Sequence, residues 1–110
     1  MQCFAQWVVI LDFLMTYDIT FSSGFQFRST HILERINLDV ELRDKARKLF
    51  RKQNNNQDIV EKLINELTTM GFAELINEED GTYKVTAAFR YAEDMVNLIT
   101  IYNEEEIPEL

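Results

Sequence analysis

The second half of the chain switches hydrophobic period twice, and that double switch limits the folds open to it. Between Asp58 and Met70, the residues Val60, Leu63, Ile64, Leu67 and Met70 recur at helical spacing, which predicts an amphipathic helix with that face inward. Gly71 follows at once and is the expected stop, because glycine enters the left-handed conformation without steric cost. Phe72 and Leu75-Ile76, then Tyr83 and Val85, are expected to pair as short strands across Asn77-Glu78-Glu79-Asp80-Gly81, with Asp80-Gly81 as the hairpin signal. Thr86 is a candidate cap for a closing helix from Ala87 to about Asn103, in which Phe89, Ala92, Met95-Val96 and Ile99 face inward.

Helix, glycine stop, strand, acidic turn, strand and helix is the order of a winged-helix module. The first half supplies helices to pack against it. A first helix is predicted over Gln2 to Tyr17, where Phe4, Val8, Leu11 and Met15 form one stripe and Trp7, Ile10 and Leu14 widen it almost all round. A helix apolar on several faces is either central to the core or covered by a partner. Ser22-Ser23-Gly24 breaks the chain into a loop, Asp18 to Gln26, whose Phe21, Phe25 and nearby Phe27 fold back on the core. Ser29 or Thr30 can cap a short second helix through Ile32, Leu33 and Ile36. Asp39 can cap a third, about Val40 to Lys52, with Leu42, Ala46, Leu49 and Phe50 on one face. Gln53 to Gln57 reads as a polar, flexible link. The expected fold is mainly α with a small β-hairpin: a winged helix-turn-helix of about five helices plus a two-stranded wing. Residues 1–103 form one domain and 104–110 an acidic tail.

Charge narrows the function. The chain carries a net charge of −8, yet six of its eleven basic residues, Arg43, Lys45, Arg47, Lys48, Arg51 and Lys52, fall in one run with Asp44 as the only acid there. That run carries +5, leaving −13 for the remainder. DNA-binding domains are ordinarily basic overall, since affinity comes largely from phosphate neutralisation. Any duplex contact here would be local, weak and non-specific. Arg43, Arg47, Lys48, Arg51 and Lys52, with Lys84 of the wing, are therefore candidates for contact with DNA or an acidic partner. A solvated basic face with its stems lying along the helix is the plainer reading of the same residues. The helix at the recognition position shows Glu61, Lys62, Asn65, Glu66, Thr68 and Thr69 outward, a poor set for reading base edges. The wing tip is acidic, which repels phosphate. Phe4, Trp7, Val8, Leu11, Phe21 and Phe25 are candidates for a protein interface, as apolar surface left over from the first helix and its loop.

No catalytic constellation is visible. The chain has one cysteine and one histidine, Cys3 and His31. The thiol fits an apolar helix and the imidazole a helix surface better than a metal site. No cofactor loop and no catalytic triad appear, so the chain reads as non-enzymatic, with no metal. The apolar run Phe4 to Met15 is interrupted by Gln6 and Asp12 and falls short of the roughly 18–20 residues a membrane span requires. Met1-Gln2 offers no basic start for a signal peptide. A cytoplasmic protein without membrane contact is expected.

Val60 to Val96 resembles the C-terminal winged helix of MukE-type subunits of bacterial condensin-like complexes. The residues that carry the resemblance are Glu61-Lys62-Leu63 through Leu67, Met70-Gly71-Phe72, and Tyr83-Lys84-Val85-Thr86 leading into Ala88-Phe89-Arg90-Tyr91. The resemblance implies a non-enzymatic subunit of an ATP-driven, DNA-organising SMC complex, associated with the nucleoid. Family members have two winged-helix domains, dimerise, and bind the kleisin subunit that bridges the ATPase heads; related complexes act in chromosome segregation or plasmid defence. By that likeness this chain corresponds to the second domain, as a fragment or a reduced homologue, with a kleisin-like partner and a homodimer among its expected assemblies. A winged-helix transcriptional regulator is the alternative reading, resting on fold alone.

Overall fold

The computed structural model describes residues 2–50, 52–53 and 55–106, with side chains described for residues 5–50, 52–53 and 55–98. Among them the chain runs α1 (Gln2–Tyr17), β1 (Gln26–Arg28), α2 (Ser29–Leu38), α3 (Val40–Arg47), α4 (Asn56–Thr69), β2 (Ala73–Asn77), β3 (Thr82–Val85) and α5 (Phe89–Glu106). This is mainly α with a small antiparallel sheet, compatible with the winged helix. The first helix spans the residues expected of it.

The sheet has three strands, not two, in the order β1-β3-β2. β1 was expected to be loop. Its Phe27 is buried between exposed Gln26 and Arg28, and Gln26, Phe27 and Arg28 pair with Lys84, Tyr83 and Thr82. β2 pairs Ala73, Glu74 and Leu75 with Val85, Lys84 and Tyr83, then shifts register before Asn77 meets Thr82. Ile76 falls in that bulge, so it has no partner on β3, and both Leu75 and Ile76 stay exposed.

Local chemistry sets most boundaries. The Asp39 carboxylate accepts from the Leu42 N–H at 3.1 Å, capping α3 as expected. At the end of α4, Gly71 takes φ +81°. Its N–H bonds the Thr68 carbonyl at 3.0 Å and the Phe72 N–H bonds Leu67 at 2.8 Å, closing the helix and turning Phe72 inward. Other boundaries depart from expectation. α4 begins at Asn56, because Asn55 accepts from the Gln57 N–H at 2.8 Å and draws the last two residues of the expected link, Asn56 and Gln57, into the helix. α2 has Arg28 at its cap with no side-chain bond, since β1 runs straight into it. Thr86 does not cap α5. Its hydroxyl donates to the Gly71 carbonyl at 2.6 Å, and Ala87 and Ala88 form a turn before the helix starts at Phe89. α3 ends at Arg47 rather than Lys52: Lys48 and Leu49 make tight i→i+3 bonds, and Leu49 and Phe50 then leave the helix for the core. Of the acidic tail, Glu104 to Glu106 belong to α5; residues 107–110 lie outside the described residues.

The core draws on every element. Phe13, Leu14, Ile32, Ile36, Leu42, Ile59, Leu63 and Phe89 are each 0–1% exposed, and full burial of such a side chain contributes about 1.5–3 kcal/mol. The face of α1 that enters the core is Ile10, Leu11, Phe13, Leu14 and Tyr17; of the expected stripe, Leu11 alone among the described side chains is on it. Val8 and Met15 are 36% and 43% exposed. Met70 and Met95, also expected inward, are exposed; Ile99 lies outside the described side chains. The polar breaks in α1 are turned to use. Gln6 donates to the Leu49 carbonyl at 2.8 Å, closing the turn after α3. Asp12 pairs with Lys45 at 3.2 Å.

Candidate functional site

Two kinds of surface were expected, basic and apolar, and the fold sorts the residues of each. Arg43 sits beside the end of α2, where its guanidinium donates to the carbonyls of Ile36 (3.3 Å) and Asn37 (2.8 Å). It thereby satisfies carbonyl oxygens at a helix terminus, which are otherwise short of donors. Lys45 is held among Asp12, Thr16 and Glu41. These two cations serve the packing of α3. Arg47, Lys48 and Lys52 are exposed, and none of the ion pairs formed among the described residues uses them. Arg51 lies outside the described residues. Lys84 is exposed on β3, remote in sequence and on a separate element.

Sequence reasoning missed one cation beside this cluster. Lys62 of α4 stands over the Phe50 ring at 5.3 Å, an arrangement in which the ring quadrupole attracts the ammonium. Phe50 leads out of the basic run, so this contact brings the lysine of the recognition-position helix to the α3–α4 turn. The rest of the outward face of α4 is unsuited to a duplex. Glu61 is exposed and accepts from Gln57 at 3.2 Å, and Glu66 is half-buried. At the wing tip Glu78 and Glu79 are exposed. Asp80 is different: its carboxylate accepts from the Thr82 hydroxyl (2.6 Å) and N–H (3.1 Å) and pairs with Arg28 at 3.3 Å. The Thr82 hydroxyl first, and the Arg28 charge with it, hold the Asp80 carboxyl below its ordinary pKa.

The apolar candidates divide similarly. Phe21 is a core residue, 1% exposed, packed among Phe25, Phe27 and Phe89 at 5.1, 5.4 and 5.5 Å. Leu11 is likewise buried at 8% exposure. Neither presents a free face, so neither is open to a partner: Leu11 turns into the core from α1, and Phe21, in the loop after it, folds back on the core as its aromatic character led one to expect. Trp7 is half-buried edge-on against Phe72 at 5.2 Å, and Phe25 is half-buried beside Phe21. Val8 stays on the surface, while the Phe4 side chain lies outside the described ones. Missed in the sequence was an outer stripe on α5: Tyr91, Met95 and Leu98 are 72%, 42% and 54% exposed at i, i+4, i+7. That spacing was the available signal, hidden by the assignment of Met95 to the core.

An open groove of about 780 Å³ lies between the α1–α2 corner and the wing, lined among others by Tyr17, His31, Glu34, Phe27, Arg28 and Ile76. Tyr17 hydrogen-bonds His31 Nδ1, and burial pushes the Tyr17 phenol up to about 12 against the opposing Arg35 charge. Arg35 donates to the Tyr17 carbonyl at 3.0 Å. The histidine is thus a partner in packing. Among the described residues no three potential metal ligands converge, and no helix is long and apolar enough to cross a membrane.

The family model of the condensin complex protein MksE matches residues 1–96. The chain belongs to that family. The match covers all the helices and strands up to the middle of α5, and it agrees with the resemblance to MukE-type subunits drawn from Val60 to Val96. No curated protein and no solved structure matches the chain. As a member of the MksE family the chain is a subunit of a condensin-like complex, and such a subunit has protein partners.

Proposed function

We propose that the chain is a non-enzymatic subunit of a bacterial SMC/condensin-like complex that binds a kleisin-type partner through its winged-helix domain. Its work is to assist chromosome segregation or plasmid defence, in the cytoplasm at the nucleoid. The observation that carries this reading is membership of the MksE family over residues 1–96. The surface supports it. Glu61 and Glu66 on α4, with Glu78 and Glu79 at the wing tip, occupy the places where a duplex reader carries cations. Apolar side chains remain exposed instead, at Val8 and Met15 on α1 and at Tyr91, Met95 and Leu98 on α5. Duplex DNA is then a weak, non-specific contact of Arg47, Lys48 and Lys52. The same acidic face speaks against a transcriptional regulator.

The test is co-purification of the chain with the kleisin-type subunit of the same complex, beside DNA anisotropy from low to physiological salt. Retention of the subunit, with DNA affinity that fades as salt rises, is expected. Sequence-selective DNA binding at physiological salt, with no retained subunit, overturns the reading in favour of a regulator.

A further inference from the structure

The groove between the α1–α2 corner and the wing holds more negative charge than its own cations answer. Asp18, Glu34 and Asp80 line it, with Arg28 as the one lining arginine or lysine among the described residues. Arg28 is already held, paired with Asp80 at 3.3 Å and donating to the Thr82 hydroxyl at 3.2 Å. Arg35 is bound to the Tyr17 carbonyl and to Asp39, and does not line the groove. No ion pair among the described residues uses Asp18 or Glu34. Asp18 is also fixed in place. Its Oδ1 accepts from the Thr20 N–H (2.9 Å) and the Thr20 hydroxyl (2.6 Å), which hold the carboxyl below its ordinary pKa and leave Oδ2 without a partner among the described residues. His31 links the two carboxylates. Glu34 follows it by one turn of α2, and Asp18 adjoins Tyr17, whose phenol bonds the His31 Nδ1.

Apolar surface lies beside these charges. Phe25, half-buried, and Ile76, 46% exposed, line the same groove. A second depression of about 460 Å³ runs along α2 and shares Thr30 and Glu34 with the first. Its apolar side chains are Leu33, half-buried, and Leu38, 78% exposed. Leu38 follows Glu34 by about one helical turn, roughly 6 Å along the axis. About two residues of extended chain cover that distance. A channel with carboxylates at one end and leucines at the other therefore has room for a short stretch of peptide, not for a single side chain.

We propose that this channel receives an extended segment of a partner protein in which an arginine stands two residues from a leucine. The guanidinium meets Asp18 and Glu34, its aliphatic stem lies along Phe25 and Ile76, and the leucine covers Leu33 and Leu38. An acidic or phosphorylated segment would meet the same carboxylates and be repelled. A second copy of this chain could offer only its basic face, Arg47, Lys48 and Lys52, and that contact sets copies head to tail in rings or filaments. The proposal rests on the subunit reading above for its partner and names the surface through which that partner is held.

The probes are fluorescein-labelled heptapeptides built on serine. The first has a central arginine with a leucine two residues to either side; the second carries glutamate in place of the arginine, and the third serine in place of both leucines. Each is titrated into the full chain at neutral pH and followed by anisotropy, with proton NMR on the same mixtures. The first is expected to bind about tenfold tighter than the second and about fivefold tighter than the third. The chain has one histidine and one tryptophan, so the ring signals of His31 should move while those of Trp7, packed on Phe72, stay. The Asp18→Asn/Glu34→Gln double variant keeps the Oδ1 acceptor and both side-chain shapes. It should weaken the first peptide about fivefold with an unchanged circular dichroism spectrum. Leu38→Ser, at a site 78% exposed, should weaken it independently. Equal binding of the first two peptides, no binding, or movement of Trp7 without His31 overturns the proposal. So does a chain that oligomerises alone and becomes monomeric in the double variant, which would make a second copy the occupant. A separate arm co-purifies the kleisin-type subunit with wild type and with the double variant. Loss from the variant alone supports both readings; equal retention sinks the channel and leaves the subunit reading intact. Retention by neither removes the subunit reading, and the peptides then decide the channel by themselves.

Discussion

Replacing Gly71 by alanine isolates the cost of a single backbone conformation. Gly71 has φ +81°, and a Cβ built on it meets nothing within 4 Å. Steric clash with the rest of the molecule is therefore absent, and the whole penalty is the left-handed torsion, about 1–2 kcal/mol for an L-residue. Relief of that strain by rotating the residue would break the bonds from Gly71 to Thr68 (3.0 Å) and from Phe72 to Leu67 (2.8 Å). It would also turn Phe72, 9% exposed, out of its place beside Trp7 and Phe89. The strained conformation is cheaper to keep, so Gly71→Ala should fold with the native spectrum and lose about 1–2 kcal/mol. Urea denaturation measures this directly, and each kcal/mol corresponds to about 4–8 °C in melting temperature for a domain near this size. Gly71→Asn should fall between the two, because asparagine tolerates the left-handed region. An alanine variant as stable as wild type, or an asparagine variant less stable than alanine, would refute the reasoning.

Phe13→Ala empties a fully buried ring site (0% exposed) and should cost about 3–5 kcal/mol in the same urea assay; a loss below 1 kcal/mol would place Phe13 outside the core. Asp39→Ala removes the cap that accepts from Leu42 and should cost about 1 kcal/mol, most of it restored by Asp39→Ser. In acid, the lowered carboxyl pKa values of Asp18, held by the Thr20 hydroxyl, and Asp80, held by the Thr82 hydroxyl, have a definite sign. A depressed folded pKa stabilises the fold above the unfolded value and is lost as pH falls through the folded one, so these contributions fade below about pH 4. Thr82→Val should return the Asp80 carboxyl toward its ordinary value in an NMR titration and leave Asp18 unchanged; no movement at Asp80 would refute the assignment. At the alkaline end, the raised Tyr17 pKa, about 12, stabilises the fold below pH 10, an advantage lost between about pH 10 and 12; ultraviolet titration of the phenolate, normal in His31→Ala only if that residue sets the shift, should instead show burial as the cause.

How far the surface could be read in advance depended on what each side chain touches. The basic run was visible as charge, yet Arg43 and Lys45 proved to be bound to carbonyls of α2 and to residues of α1. Their partners lie on other elements, which no spacing within the run reveals. Lys62 joined the cluster only because Phe50 left α3 and came beneath it. β1 had a signal, Phe25 and Phe27 alternating after Gly24, but three residues are too few to outweigh a loop assignment.

The order of the helices and of the two wing strands, the stop at Gly71, the cap at Asp39 and the acidic character of α4 and the wing follow from the amino-acid order, because each depends on neighbours within a turn or on composition. The inward face of α1 does not. With apolar residues nearly all round, its period singles out no stripe, and packing against α3 and α5 chose Ile10, Phe13, Leu14 and Tyr17 over Val8 and Met15. The free edge of β2 is equally a product of assembly. Val85 bonds β1 only once residues about sixty positions apart have met, and that pairing turns the peptide groups of the exposed Leu75 away from β3. Local chemistry cannot encode which side of a strand stays unpaired; the third strand decides it.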